Sequence, residues 1–221
     1  MKPMLFNTDM VNAILEGRKT VTRRVVYEPY YIDHADVCMK SGLAMRRGSA
    51  STTGMPYPDR PYAPGDILWV RETWQFIPCI DCCLDLNGLC QESPVTYEDS
   101  DSIGDGCFIY RADYPEPQRI SWRPSIHMPR DAARIFLRVT DVRVERLQDI
   151  TPEQIDAEGC KEWAYSTTTG ELLPSGPSWF RIAWNSTVKP SALYQYGWEA
   201  NPWVWVIQFE RINKEDVVHD T

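Results

Sequence analysis

Alternating apolar and polar side chains run through much of this sequence, and this pattern constrains the fold more than any other. The longest alternating run is RIFLRVTDVRVERL at 134–147, with cations on one face and Ile135, Leu137 and Val139 on the other. Similar runs occur as ILWVRETW and WVWVIQFERI. Because successive side chains of a β-strand point to opposite faces, these runs predict strands. The sequence therefore predicts a mainly β protein.

Short helices are predicted where capping residues bound the strands. Thr8 is placed to cap a first helix that ends at Gly17. In ITPEQIDAEGC, Thr151 is the predicted N-cap, Pro152 occupies the first turn and Gly159 follows the end. SWFRIAWNSTV predicts a third, amphipathic helix. The irregular order of strands and helices favours a mixed α+β, mainly β fold, a small β-barrel with flanking helices, over a doubly wound sheet.

Two stretches without periodic pattern interrupt this plan. Residues 27–64 are rich in Tyr, Pro, Gly and Ser, and residues 75–106 hold most of the cysteines. We interpret both as irregular insertions. The prediction is one domain over 1–212, followed by a charged tail at 213–221 that frays.

Net charge limits the partners that the chain can have. The formal charge is −8, from 31 acidic and 23 basic residues. A protein that coats nucleic acid through bulk positive charge is therefore excluded, but a local basic pocket for a nucleoside or short RNA is compatible with an acidic whole. No stretch approaches the ~18 apolar residues of a membrane span. The start, MKPMLFNTDM, is too short and too polar for a secretion signal, so we expect a cytoplasmic protein without a membrane partner and with reduced thiols.

Positive charge gathers near the N-terminus in LEGRKTVTRR, around Thr22. Like charge nearby lowers the pKa of a lysine, so Arg18, Arg23 and Arg24 would favour a Lys19 that can take up a proton. The same arginines could contact a substrate and stabilise an oxyanion. The alternative is a solvated strand edge, where charge prevents unwanted pairing.

Polar residues within two other strands are a second set of candidates. WVRETW contains Arg71, Glu72 and Trp74, and IYRADY contains Tyr110 and Arg111. We predict these residues as substrate contacts, with Arg71 on a phosphate or carboxylate and Trp74 stacked on a base. The alternative is an inter-strand ion pair and a core tryptophan.

The cysteines raise the question of a metal. Cys79 and Cys82 form a C-x2-C pair, a spacing that lets two thiolates share one zinc ion. Cys90 and Cys107 could complete a structural zinc site, with Cys83 as the spare. The alternative is a loop with reduced thiols. The three histidines are scattered and predict no metal site.

Four blocks in order resemble the ASCH domain as it occurs in phage and prophage proteins. They are ILEGRKTVTRR, PGDILWVRETW, ITPEQIDAEG and NPWVWVIQFERI, and PSIHMPRDAARIFLRVTDVRVERLQDI is similar to the central block of that subgroup. The resemblance implies a PUA-like β-barrel, named after pseudouridine synthases and archaeosine transglycosylases and associated with RNA.

The resemblance also implies a reaction and its residues. Some small ASCH proteins hydrolyse the amide of N4-acetylcytidine with a lysine, a threonine and a glutamate, which match Lys19, Thr22 and Glu158 here. An amide hydrolase for N4-acylated cytidine-type nucleosides or bases, needing no cofactor, is therefore implied. Thr22 could attack with Lys19 as its base and Glu158 as proton carrier, or Glu158 or Lys19 could activate water while Thr22 orients the substrate. Other ASCH proteins are nucleic-acid binding or ribonuclease-like, so an RNA or modified-nucleotide binding module and a ribonuclease are the alternatives.

Overall fold

The computed structural model is mixed α/β and mainly β. It describes residues 1–26, 30–32, 38–40, 61–79, 95–98, 103–114, 120–160 and 177–218. The strands are β1 (Lys2–Leu5), β2 (Val21–Val25), β3 (Tyr30–Ile32), β4 (Cys38–Lys40), β5 (Ile67–Arg71), β6 (Trp74–Pro78), β7 (Val95–Glu98), β8 (Ile103–Tyr110), β9 (Phe136–Arg146) and β10 (Trp203–Ile212). The helices are α1 (Thr8–Leu15), α2 (Pro152–Ala157), α3 (Pro177–Thr187), α4 (Leu193–Tyr196) and α5 (Lys214–Val218).

The chain divides into two compact units. The described residues of Met1–Asn12, Leu68–Phe136 and Ile212–Thr221 form the first unit, and those of Ala13–Ile67 and Leu137–Arg211 form the second. The single domain over 1–212 stays a prediction. The tail predicted to fray contains α5, where Val217 is buried.

In the first unit, β1 pairs in parallel with β5, and β8 lies between β6 and β7 in an antiparallel sheet. Trp74 of β6 lies opposite Tyr110 of β8. Most of β6, all of β7 and the start of β8 fall within 75–106, which the sequence predicts to be irregular, so that interpretation is wrong for these strands. It is likewise wrong for β3 and β4 within 27–64, which pair antiparallel with each other. The runs are too short to show periodicity, and pairing with β8 makes them strands.

In the second unit, β9, β10 and β2 lie side by side in that order, and β2 is antiparallel to β10. Helices α2 and α3 cover the sheet face that carries Val21. The buried core there includes Val21, Val204 and Val206 from the strands, Leu147 and Ile150 from the segment after β9, Ile155 from α2, and Phe180 and Trp184 from α3. Since alternate residues of a strand share a face, Arg23 lies on this covered face and Thr22 on the opposite one.

Barrel closure, which the sequence predicts, is not observed among the strands that the structure describes. The sheets that the described strands form all have open edges. None of the helices among the described residues is long and apolar enough to cross a membrane.

Candidate functional site

Lys19 is positioned by the reversal between α1 and β2. Helix α1 ends in a left-handed turn at Gly17, with φ of 76°. The backbone N–H of Lys19 then donates to the Ala13 carbonyl at 3.0 Å. The chain next runs antiparallel to the segment at the end of α2. There Lys19 forms an isolated β-bridge with Glu158, and the Thr20 N–H donates to the Ala157 carbonyl at 2.9 Å. This local path fixes the Lys19 side chain before β2 begins.

The Lys19 side chain points into the interior, and the residue is only 2% exposed. Its Nζ donates to the carbonyl oxygens of Val21 at 2.8 Å and Glu158 at 2.9 Å, and to Glu158 Oε2 at 2.6 Å. An ammonium has three N–H donors, which these three acceptors match. Lys19 therefore forms a buried, charge-assisted contact with a carboxylate 139 residues away in sequence.

Glu158 lies at the C-terminal end of α2. Thr151 caps this helix as predicted, in a capping box with Gln154. Glu158 is the C-cap, and Gly159 follows with φ of 86°. The six-residue helix thus places the Glu158 carboxylate at its C-terminal end, where the backbone turns sharply at Gly159.

Gly159 allows the ends of α1 and α2 to approach closely. A Cβ added to Gly159 would lie 2.7 Å from the Ala13 Cβ and 2.9 Å from the Lys19 Cβ. Arg18 joins the same two ends, because its Nη1 donates to the Gly159 carbonyl at 2.6 Å. A glycine is therefore required by both the backbone conformation and the space around it.

Arg23 holds the other oxygen of the Glu158 carboxylate. Its Nη1 donates to Glu158 Oε1 at 3.1 Å, and its Nη2 donates to Gln154 Oε1 at 2.6 Å and to Glu145 Oε2 at 3.5 Å. The Arg23 side chain is 1% exposed. Its buried Nε has no hydrogen-bond partner in the part of the chain that the structure describes. Arg23, predicted as a substrate contact, is instead engaged with protein groups.

Burial sets the electrostatics of this site. It lowers the pKa of Lys19 below its ordinary value, and the Arg24 charge lowers it further, against the opposing effect of the Glu158 carboxylate. A lowered lysine pKa is what proton uptake near neutral pH requires. Burial and the Glu158 charge raise the pKa of Cys160 to about 12, so this neighbouring thiol stays protonated.

The remaining predicted residues of this segment do not contact the carboxylate. Thr22 is 1% exposed, and none of the described residues forms a hydrogen bond with its hydroxyl. Arg24 Nη1 donates to the Arg23 carbonyl at 3.2 Å, and Arg18 Nε pairs with Glu16 at 2.6 Å. The structure brings Lys19, Arg23 and Glu158 into contact, while Thr22 lies beside them without a hydrogen bond to them.

Glu72 and Tyr110 belong to a separate cluster in the first unit. Glu72 is buried and forms a two-bond pair with Arg134, at 2.9 and 3.0 Å. Arg134 also pairs with Asp113 at 2.7 Å, and its guanidinium lies 4.0 Å from the Tyr110 ring centroid. Burial raises the pKa of Glu72, while Arg134 opposes that rise. The Tyr110 hydroxyl donates to the Ala132 carbonyl at 2.7 Å, so the cluster has mostly internal partners.

Trp74 is placed in the core of the first unit, where it cannot stack on a base. The residue is 1% exposed, and its ring lies 5.7 Å from Phe108 and 6.0 Å from Tyr97. The guanidinium of Arg123 lies 5.2 Å from the ring centroid. The stacking prediction is therefore wrong for Trp74 in this conformation, and the alternative of a core tryptophan holds.

Arg71 and Arg111 contact other residues of the first unit. Arg71 Nη2 donates to the Ile126 carbonyl, and its guanidinium lies 5.4 Å from the Trp69 ring. Arg111 lies 5.9 Å from the Trp122 ring. Both arginines pack on aromatic faces, and their role as substrate contacts stays a prediction.

The predicted zinc site falls mainly outside the described residues. Cys82, Cys83 and Cys90 lie there, whereas Cys79 is half-buried and Cys107 is buried in β8. In the described ranges, no group of three His, Cys, Asp or Glu side chains could hold a metal. The structural zinc stays a prediction.

Three polar residues that contact these clusters were missed by the sequence reasoning: Gln154, Glu145 and Arg134. Gln154 had a usable signal, because it lies four residues before Glu158 and so on the same helix face. Glu145 and Arg134 had none, since a charge in a strand does not indicate its partner.

Comparison with known proteins gives no match to a family model, to a curated protein or to a solved structure.

Proposed function

We propose that this chain is an ASCH-type amide hydrolase with a PUA-like fold, acting on N4-acylated cytidine-type nucleosides or bases. The observation that supports the proposal most is the buried contact of Lys19 Nζ with Glu158 Oε2 at 2.6 Å. The resemblance pairs these two residues in catalysis, and the fold joins them although they are far apart in sequence. The architecture that the proposal needs is mixed and mainly β, although the described strands form no closed barrel.

Amide hydrolysis requires two proton transfers, which a coupled amine and carboxylate can provide. Water attacks the acyl carbon, and the base must take a proton from it. The C–N bond then breaks, and the N4 nitrogen must receive a proton to leave as a neutral amine. Water and the amide are thereby converted to a carboxylic acid and the free cytidine amine, with no external reductant or oxidant.

Lys19 and Glu158 are suited to move that proton. Burial lowers the pKa of Lys19, so its ammonium releases a proton more readily than an exposed lysine. Glu158 Oε2 lies at hydrogen-bond distance and can carry the proton onward. Arg23 on Oε1 keeps the carboxylate oriented during this exchange.

Water, rather than Thr22, is the nucleophile in this proposal. A threonine nucleophile needs a base within hydrogen-bond reach. Among the described residues, Lys19 and Glu158 make no such bond to the Thr22 hydroxyl. Among the described residues the Thr22 hydroxyl has no hydrogen-bond partner, so we assign Thr22 the orienting role. Because Thr22 is 1% exposed, this role requires the site to open when substrate binds.

The wild-type protein should convert N4-acetylcytidine to cytidine and acetate. Glu158→Gln should reduce kcat by about 100-fold or more, because the amide cannot carry the proton and its single oxygen can accept from only one of Lys19 and Arg23. Chromatography of nucleoside products, with a short RNA in a parallel incubation, measures both activities.

Arg181→Gln is the matched control for charge removal. Arg181 forms an exposed pair with Glu199 at 3.2 Å, so its loss should leave kcat unchanged. Cleavage of RNA without deacetylation would instead identify a ribonuclease. Tight nucleoside binding without either reaction would identify a binding module. The observation that favours this alternative is that Lys19 Nζ already donates to three protein acceptors.

Thr22 should not become acylated during turnover. Rapid acid quench followed by peptide mass spectrometry is expected to find no acetyl group on Thr22. Thr22→Val should raise KM more than it lowers kcat, since it loses a substrate contact and no nucleophile. An acetylated Thr22 that forms and decays at the rate of turnover would replace water with Thr22 as the nucleophile.

A further inference from the structure

A row of side chains with alternating charge lies along β9 and ends near the buried Lys19–Glu158 pair. Asp141, Arg143 and Glu145 occupy every second position of the strand and so share one face. Arg143 donates to Asp141 at 3.2 Å and also to Glu145 Oε1. Glu145 Oε2 then lies 3.5 Å from Arg23 Nη2, which connects this row to Glu158 and Lys19. Asp141 at the outer end has a side chain that is 43% exposed.

Arg23 is the junction between this row and the proton-transferring pair. It contacts Glu145 on β9 as well as Gln154 and Glu158 on α2. Its burial removes the screening that water and salt give to exposed charges. A change of charge at Glu145, whose side chain is 22% exposed, is therefore expected to reach Glu158 and Lys19 through Arg23.

The shape of the guanidinium explains why an arginine occupies this position. Gln154 and Glu158 lie four residues apart on one face of α2. Two separate nitrogens of one planar group reach both side chains, which a single ammonium cannot do. Arg23 thereby fixes the carboxylate relative to the helix that bears it.

We propose that Arg23 is a positioning residue of the hydrolase, which holds Glu158 towards Lys19 and couples the pair to Glu145, so that Glu145 sets the pH range of catalysis. This inference rests on the proposed function and adds the control of its pH dependence. It assigns Arg23 no contact with the substrate.

Several other titratable or charged groups lie close to Lys19, Glu158 or the neighbouring Cys160 thiol and remain constant in the test. Arg18 and Arg24 come from the segment around β2, and their charges act on Cys160 and Lys19 respectively. Asp156 and Cys160 come from α2 and the turn after it. None of these groups is altered in the variants below.

Two single variants should shift the pH profile in opposite directions. Arg23→Gln removes a positive charge, so Lys19 binds its proton more tightly and the acid limb of kcat moves to higher pH. Glu145→Gln removes a negative charge, so the limb moves to lower pH. Each shift should be on the order of one pH unit. Loss of packing alone cannot produce shifts of opposite sign.

Further variants separate charge from position. Arg23→Gln should also lower kcat by about 100-fold, since the carboxylate loses its orientation. Arg23→Lys should lower kcat without moving the acid limb of the pH profile. The positive charge remains, but the planar guanidinium that bonds to both Gln154 and Glu158 is lost. The combined Arg23→Gln and Glu145→Gln variant should return the limb close to wild type while kcat stays low.

Titration of Lys19 gives a readout independent of turnover. The pH dependence of the Lys19 side-chain resonance in lysine-labelled protein, assigned from its loss in Lys19→Arg, should follow the same opposite shifts. Absence of wild-type deacetylation would reject the proposed function while leaving this titration decisive. Equal titration of Lys19 in wild type, Arg23→Gln and Glu145→Gln would overturn the inference, whatever the activity.

Discussion

Replacing Lys19 by methionine should lower the free energy of unfolding by about 3–5 kcal/mol, the usual cost of removing one partner of a buried ion pair. Methionine retains most of the lysine stem, so little packing is lost. The Glu158 carboxylate would keep Arg23 but lose the donor at 2.6 Å. The carbonyl of Val21 would lose the same donor while remaining buried in the strand. Deacetylation should fall by about 1,000-fold or more, because no proton can then pass between amine and carboxylate.

Urea unfolding of single and combined variants measures the coupling of this pair. Glu158→Gln alone should destabilise the protein less than Lys19→Met, since the amide oxygen can still accept a hydrogen bond from one of the two cations. The combined variant should be more stable than the sum of the two losses predicts, by roughly 1–3 kcal/mol. Strictly additive losses would mean that the two groups do not interact, and the proposed proton exchange would then lose its basis.

Gly159→Ala should have the second large effect on stability, about 3 kcal/mol. A left-handed conformation costs an alanine ~1–2 kcal/mol, and forcing an extra methyl into a packed site costs a further ~1–3 kcal/mol. The methyl group would meet the Cβ atoms of Ala13 and Lys19 at 2.7 and 2.9 Å. Relief of that contact moves the end of α2 away from Lys19, so kcat should fall as well.

Gly65→Ala is the matched control for Gly159→Ala. Gly65 has φ of 89°, and a Cβ added there meets no atom within 4 Å. It should therefore lose only the conformational part, ~1–2 kcal/mol, and retain kcat. If both variants lose equal stability and equal activity, close packing at Gly159 does not position the site.

Most features encoded within a few residues could be predicted from the sequence, although Thr8, the predicted cap of α1, is its first helical residue and Asn7 Oδ1 accepts from the Met10 N–H at 2.9 Å instead. Thr151 and Gly159 bound α2 in the structure as they do in the sequence, because a cap depends only on its own turn. The alternation in 134–147 and 203–212 likewise corresponds to β9 and β10. Their pattern indicates a strand regardless of which strand lies next to it.

Features that depend on distant partners could not be predicted. Alternation places Arg23 on one face of β2, but it does not show that α2 covers this face with Gln154 and Glu158. Only the folded structure shows that Arg23, predicted as a substrate contact, is buried and bonded to Gln154 and Glu158. In the same way, the sequence around Trp74 fits either a ring that stacks on a base or a core tryptophan. The packing of β6 against β8 buries the ring in the core.

The long separation between Lys19 and Glu158 has a consequence for synthesis. From the time Lys19 leaves the exit tunnel until Glu158 does, the amine lacks its counter-charge and must remain hydrated. Burial of Lys19 can follow only after α2 has left the exit tunnel. A product terminated before residue 158 would therefore expose this segment and be a target for proteases.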